Sequence, residues 1–388
     1  MISKKIAIII GAIIFLMSSY TSYKVFSSTG TGMIVSPLSK YFPPKNGSGS
    51  PTPTPDEPKT EECPLNGQMM TKSQKNLWVN RRPLGIVVEN HKDARPQSGL
   101  SFADVIYEGV AESGITRFLA IYYCQDANPV GPVRSARVHF INLLQEYGDY
   151  PLYAHVGGAN TPGPADALGY INKLGWSLYN DLNQFAVPFP FFWRDYERLP
   201  NRVTEHTVYT STSKLWDYAK NKRKLTNVDE DNQSWDANFT SWKFADDASL
   251  TDRGNVNQIS FGFWTTFAND YSVVWTYNKN TNLYTRQNGG QPHLDKNTNQ
   301  PIQAKDIIVI FAKESPANDG YEGGHIVYKL TGSGEALIFQ NGKAIKGSWQ
   351  KKDYKTRMLF FDESGKEISL VRGKIFIELL PQGNKINY

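Results

Sequence analysis

Val105-Ile106-Tyr107-Glu108-Gly109-Val110-Ala111-Glu112, Ser113-Gly114 and Ile115-Thr116-Arg117-Phe118-Leu119-Ala120-Ile121-Tyr122-Tyr123 read together as a β-hairpin. Two β-branched and aromatic runs meet at a two-residue loop that contains glycine, a recognised hairpin signal. A plain register sets Glu112 opposite Ile115, Val110 opposite Arg117 and Glu108 opposite Leu119. Because strand side chains alternate, Glu108, Glu112 and Arg117 would then share one face. Tyr107, Ala111, Phe118 and Ala120 would take the other face and pack inward. An arginine diagonal to two carboxylates is a structural ion pair in its blander reading and an acid–base pair in its sharper one.

Outward from the hairpin, the elements alternate. Residues 84–88 form an apolar, β-branched run suited to a buried strand, and a polar loop, 92–100, follows it. On the far side, Gly131-Pro132-Val133-Arg134-Ser135-Ala136-Arg137 opens a helix that Ser135 is placed to cap. Free N–H groups at such a start, with Arg134 and Arg137 beside them, would attract a carboxylate or phosphate. The ligand-binding candidates are therefore Arg117, Arg134, Ser135 and Arg137, with His91 and Arg95 from the loop before the hairpin. Residues 152–156 read as a strand, Gly157-Gly158 as a turn, and 164–174 and 213–220 as helices. The glycine turn matches neither a Walker loop nor a dinucleotide fingerprint, and no cofactor is expected.

These alternations give an α/β-type domain with a mixed sheet over 76–225. A polar connector spans 226–254, and a β-rich antiparallel domain runs over 255–388. Asn341-Gly342 is its strongest hairpin signal, between 336–340 and 343–349, and residues 374–380 close the sheet. The second domain is expected to be a sandwich or a partly closed barrel, and the overall class α+β.

The N-terminus sets the compartment. Lys4 and Lys5 precede an apolar segment, 6–23, long enough as a helix to cross a bilayer with residues 1–5 on the cytoplasmic side. An uncleaved single-pass anchor is expected, a cleaved signal being the alternative. Residues 24–75 are rich in Pro, Ser and Gly, the composition of a disordered stalk. An extracytoplasmic body permits disulfides, and its two cysteines, Cys63 and Cys124, are predicted to pair. A net charge of +5 without a basic cluster argues against nucleic acid as a partner. His91, His139, His155, His206, His293 and His325 show no ligand spacing along the chain, so no metal is expected. The aromatic complement (9 Trp, 21 Tyr and 20 Phe) suits sheet packing, with some rings left for sugar or peptide faces.

Glu89-Asn90-His91, Ala94-Arg95-Pro96-Gln97-Ser98-Gly99-Leu100, Ala103 to Glu108, Gly114 to Phe118 and Gly131 to Arg137 resemble the YerB-like bacterial envelope family. Leu283-Tyr284-Thr285-Arg286 and Gly342 to Lys351 extend the likeness to the second half. The resemblance implies a membrane-associated protein of two domains without an assigned activity. Members look like lipoproteins, whereas no cysteine lies near the end of the apolar segment here. Members also carry His-Asn where this chain has His206-Thr207.

Two functions follow as expectations. One is a membrane-held binding or scaffold protein that contacts peptidoglycan, glycan or a wall-synthesis protein. The alternative is a cell-wall-modifying hydrolase with Glu108 or Glu112 as acid or base. No Gly-x-Ser-x-Gly elbow supports serine chemistry.

Overall fold

Ser113 and Gly114 adopt φ values of 51° and 84°, the left-handed pair that a tight two-residue hairpin demands. The computed structural model describes residues 57–388, so the expected anchor and most of the stalk lie outside the described residues. Among the described residues, no helix is long and apolar enough to cross a membrane.

In the first half, β1 is Leu84–Glu89, β2 Val105–Glu112 and β3 Ile115–Tyr122; β4 is Leu152–His155 and β5 Asp181–Asn183. The hairpin strands β2 and β3 pair antiparallel, and β3 pairs antiparallel with β1. From β1 the sheet continues in parallel through β4 to β5. This is the mixed sheet that alternating strands and helices imply, because parallel neighbours require a crossover connection. The helices are short: Lys72–Trp78 (α1), Val138–Leu144 (α2), Ala167–Lys173 (α3) and Thr212–Arg223 (α4). Leu144 of α2 presses so closely on Gly85 of β1 that a Cβ there would stand 2.8 Å from its Cδ1. Gly85 is thus the point where helix and sheet touch.

Two larger groups of strands come from the second half. Gln258–Phe261 (β6), Val273–Asn278 (β7) and Leu283–Asn288 (β8) form an antiparallel meander. Asp306–Pro316 (β9), Ile326–Lys329 (β10), Gly332–Gln340 (β11), Lys343–Lys351 (β12) and Leu359–Asp362 (β13) are also joined antiparallel. Asn341 and Gly342, both at positive φ, make the turn between β11 and β12. The last strand, β14 (Ile375–Pro381), is a surprise: it inserts between β9 and β2, parallel to both. One sheet therefore runs β13-β12-β11-β9-β14-β2-β3-β1-β4-β5, with strands from both halves of the chain. The fold class is α+β.

Residues of 226–254 pack rather than merely link. The Trp235 carbonyl accepts from Asp149 N at 2.8 Å, and Trp242 donates its indole N–H to the Met358 carbonyl at 2.7 Å. A buried ion cluster also joins the halves. Glu146, just past α2, pairs with Lys351 and with Arg357 at 3.1 Å, and accepts from the Tyr107 hydroxyl at 2.8 Å. Arg357 also lies 3.4 Å from the Trp242 ring centroid, a close cation–π contact. Cys63 and Cys124 are disulfide-bonded, with Cα atoms 6.0 Å apart, so the start of the folded body is stapled to the end of β3.

One helix start differs from its expectation. The N-cap of α2 is Arg137, and no side chain caps it. Residues 133–136 are extended instead: Val133 bridges Val88 and Ala136 bridges Gly158. Pairing with two neighbouring segments outweighs the local capping preference of Ser135, and the expected anion-binding helix start is not formed.

Candidate functional site

The hairpin register slips by one. Beyond the turn Glu112 faces Ile115 as expected, but Val110 faces Thr116, Gly109 faces Arg117 and Glu108 faces Phe118. A bulge at Ala111 accounts for the shift. Since one extra residue swaps the faces of everything beyond it, Glu108 and Glu112 fall on opposite sides of the sheet. The expected shared face of Glu108, Glu112 and Arg117 is corrected accordingly.

On one side, Glu108 is fully buried. It accepts from Asn90 Nδ2 at 2.9 Å and Thr116 Oγ1 at 2.6 Å, and it pairs with Arg286. Glu378 of β14 is its register partner and stands 3.7 Å from Arg286 Nε. His293, bonded to Arg286 at 2.8 Å and to Gln97 at 2.9 Å, is held neutral by burial and by Arg286 and Arg95. Arg95 belongs here too. Its guanidinium donates to the Asn90 carbonyl at 2.9 Å and lies over the Tyr271 ring. This group is a packed, polar piece of core, and Glu108 reaches no surface.

The opposite side holds the remaining candidates. Glu112 takes Arg117 at 2.5 Å on one oxygen and Arg137 on the other. Arg117 also donates to the Ser135 carbonyl at 3.2 Å. Arg134 Nε lies 2.5 Å from Glu89 Oε2, and His206 Nδ1 lies 3.6 Å from the same oxygen. The His91 ring stacks on that of His206, centroids 5.1 Å apart and planes 12° from parallel. Thus Arg117, Arg134, Arg137 and His91 gather in one neighbourhood, with the Ser135 backbone between them, while Arg95 does not join their face.

The backbone explains the placement. Arg134 N donates to the Val87 carbonyl at 2.9 Å, and the Arg134 carbonyl accepts from Val156 N at 3.0 Å. The 133–136 segment is therefore wedged between the C-terminal ends of the parallel strands β1 and β4. Such strand ends are where ligands collect in open parallel sheets. Nearby, His155 is fixed between Asp181 and the Gly157 carbonyl, each at 2.7 Å, and serves the scaffold.

Arg117, Arg134 and Arg137 meet Glu89 and Glu112 directly, and the carboxylates of Asp93 and Asp319 lie close enough to share the cluster's charge. Burial pushes the Glu89 carboxyl upward, but His206, Arg117 and Arg134 outweigh it and hold its pKa at about 2. Burial lowers Arg137 to about 10. The Nε atoms of Arg117 and Arg137 are buried without a hydrogen-bond partner, whereas that of Arg134 is ion-paired with Glu89. Arg134 is the most accessible of the three, with 27% of its side chain exposed against 2% and 7% for the others.

Glu89, His206 and Asp93 escaped the sequence reading, as did Arg286 and Glu378. Glu89 enters the sequence reading only through the family likeness, and nothing local joins it to His206. Thr207, which departs from the His-Asn that the family resemblance implies, bonds elsewhere. Its hydroxyl donates to the Thr204 carbonyl at 2.7 Å and accepts from Arg194 at 3.1 Å.

A long mixed sheet built from both halves, with an arginine–glutamate–histidine cluster at its strand ends, defines the class. Residues 67–226 match the family described as "Protein of unknown function (DUF3048) N-terminal domain", and residues 263–377 match its C-terminal domain. The chain belongs to this YerB-like family. It is 30% identical over 333 residues to the Bacillus subtilis (strain 168) protein called "Putative lipoprotein YerB", across 84% of this chain and 88% of that one. The crystal structure of the YerB protein from Bacillus subtilis has the same fold, with a TM-score of 0.67 at 28% identity. That match covers 84% of this chain and 100% of the other.

Proposed function

We propose that this protein is an extracytoplasmic, membrane-held binding protein of the bacterial cell envelope. It retains an anionic wall polymer through Arg134 and its neighbours. Three lines support the reading: the lysine-flanked apolar N-terminal segment, the lipoprotein name of the relative, and the arginines gathered at the strand ends, of which Arg134 is partly exposed. The observation that carries it is Arg134, a partly exposed guanidinium paired with Glu89 in the same neighbourhood as the buried Arg117 and Arg137, whose Nε atoms lack hydrogen-bond partners. Buried polar groups without partners are costly, and a carboxylate or phosphate would supply acceptors.

Co-sedimentation with purified peptidoglycan tests this. Full-length protein in detergent should pellet with the polymer, and Arg134→Ala, with an unchanged melting temperature, should bind about tenfold or more weakly, as loss of a charge-assisted bond implies. Equal retention of both proteins would remove the proposal. Release of soluble muropeptides by the wild type would favour the hydrolase alternative instead.

A further inference from the structure

His91, Asp93 and His206 each offer one ligand atom, and the three atoms lie within 4.8 Å of one another. Sequence spacing hid this group, because His206 arrives from a distant 3-10 turn, Thr204–His206, beside the turn Lys92–Ala94 that carries Asp93. His91 Nδ1 stands 3.8 Å from Asp93 Oδ2. Two ligands about 2 Å from one tetrahedral ion lie roughly 3.3 Å apart, so Asp93 needs little movement. The His91 ring, whose Nδ1 accepts from Asp93 N at 3.3 Å, must turn out of its stack on His206 for both imidazoles to aim at one ion. His206 is buried, and its Nδ1, 3.6 Å from Glu89 Oε2, has no partner at hydrogen-bond distance.

We propose that His91, Asp93 and His206 bind one divalent cation of the Zn2+ class, with Glu89 as the carboxylate that orients the His206 ring. The donor set is two imidazoles and one carboxylate, which suits zinc and its transition-metal neighbours better than calcium or magnesium. A carboxylate behind a metal-bound histidine fixes its tautomer and turns its other nitrogen toward the ion. Glu89 is suited to that outer position, since Arg134 already shares its charge. Half of the Asp93 side chain is exposed, which gives an ion a path inward and leaves coordination positions for water or a ligand.

Direct titration decides the matter. Full-length protein, free of any affinity tag, is stripped with EDTA and titrated with ZnCl2 by calorimetry in the absence of wall polymer. One ion per chain is expected. His206→Ala and His91→Ala should each weaken binding by at least about tenfold, the lower limit set by losses already seen for outer-sphere partners. Should His206→Ala fail to fold, His91→Ala, at a half-buried position, still gives the answer. No Zn2+ uptake by the wild type, equal uptake by the folded variants, or equal affinity for Ca2+ would each overturn the proposal. Because no polymer is present, failure here leaves the anion reading to its own test.

Discussion

Glu378 lies directly beside Glu108 on adjacent parallel strands, and a single arginine, Arg286, reaches both. Neither carboxylate touches solvent. Two buried carboxyl groups with one cation cannot both ionise cheaply, so one keeps its proton. Burial first, then the Glu108 charge, raises the Glu378 pKa well above its usual value.

The sign of the resulting linkage is fixed. A carboxyl whose folded pKa exceeds its unfolded value of 4.5 binds more proton when folded. Its contribution is full below pH 4.5 and is lost as pH rises toward the folded pKa. Glu378→Gln mimics the protonated form and keeps an acceptor for Trp275, whose indole N–H lies 3.2 Å from Glu378 Oε1. The variant should match the wild type in urea unfolding at pH 4.5 and gain on it steadily toward pH 8. A stability difference independent of pH would refute this assignment.

The Glu146 cluster makes a second, separate prediction. Burial lowers the Lys351 pKa, and Glu146 offsets that only in part. Removing the carboxylate leaves an ammonium and a guanidinium without their anion inside the protein. Glu146→Ala should therefore cost about 3–5 kcal/mol, and adding Lys351→Met to it should recover part of the loss. Urea midpoints of the two singles and the double variant measure the coupling. A cost below about 1 kcal/mol for Glu146→Ala would show that the cluster is not what binds the halves.

How far these features could be read from sequence depended on their range. Ser113-Gly114 and Asn341-Gly342 were legible because positive φ is a local demand that few residues meet. The continuous apolar run of β14 announced burial, but no local pattern could place it between β9 and β2. Ala111 carries no signal for a bulge, yet that one residue sends Glu108 and Glu112 to opposite faces. Ser135 looked like a cap until its neighbours paired as strand, a tertiary effect that overrides a preference worth roughly 1 kcal/mol. Pairing of Cys63 with Cys124 was legible from compartment alone. By contrast, the meeting of His91 with His206, and of Arg286 with Glu108, is set by sheet order, which short-range chemistry does not encode.

His139 supplies the last prediction. It is buried in α2, edge-on to Phe140 and Tyr328, and neither ring nitrogen has a hydrogen-bond partner. Burial, with Arg137 and Arg117 nearby, lowers its pKa to about 3. A histidine depressed in the folded state binds fewer protons there than in the unfolded chain. Stability is thus complete above about pH 6.5 and falls as pH drops toward 3, by up to roughly 5 kcal/mol. Glu89 acts in the same direction but only below about pH 4.5, since its folded pKa is about 2. The two are therefore separable. His139→Leu should reduce the loss between pH 6.5 and 4.5, the remainder belonging to His293, whose pKa is lowered likewise, while leaving the steeper acid limb below it. An unchanged slope across that upper window would mean that the ring is protonated, or solvated, in the folded protein.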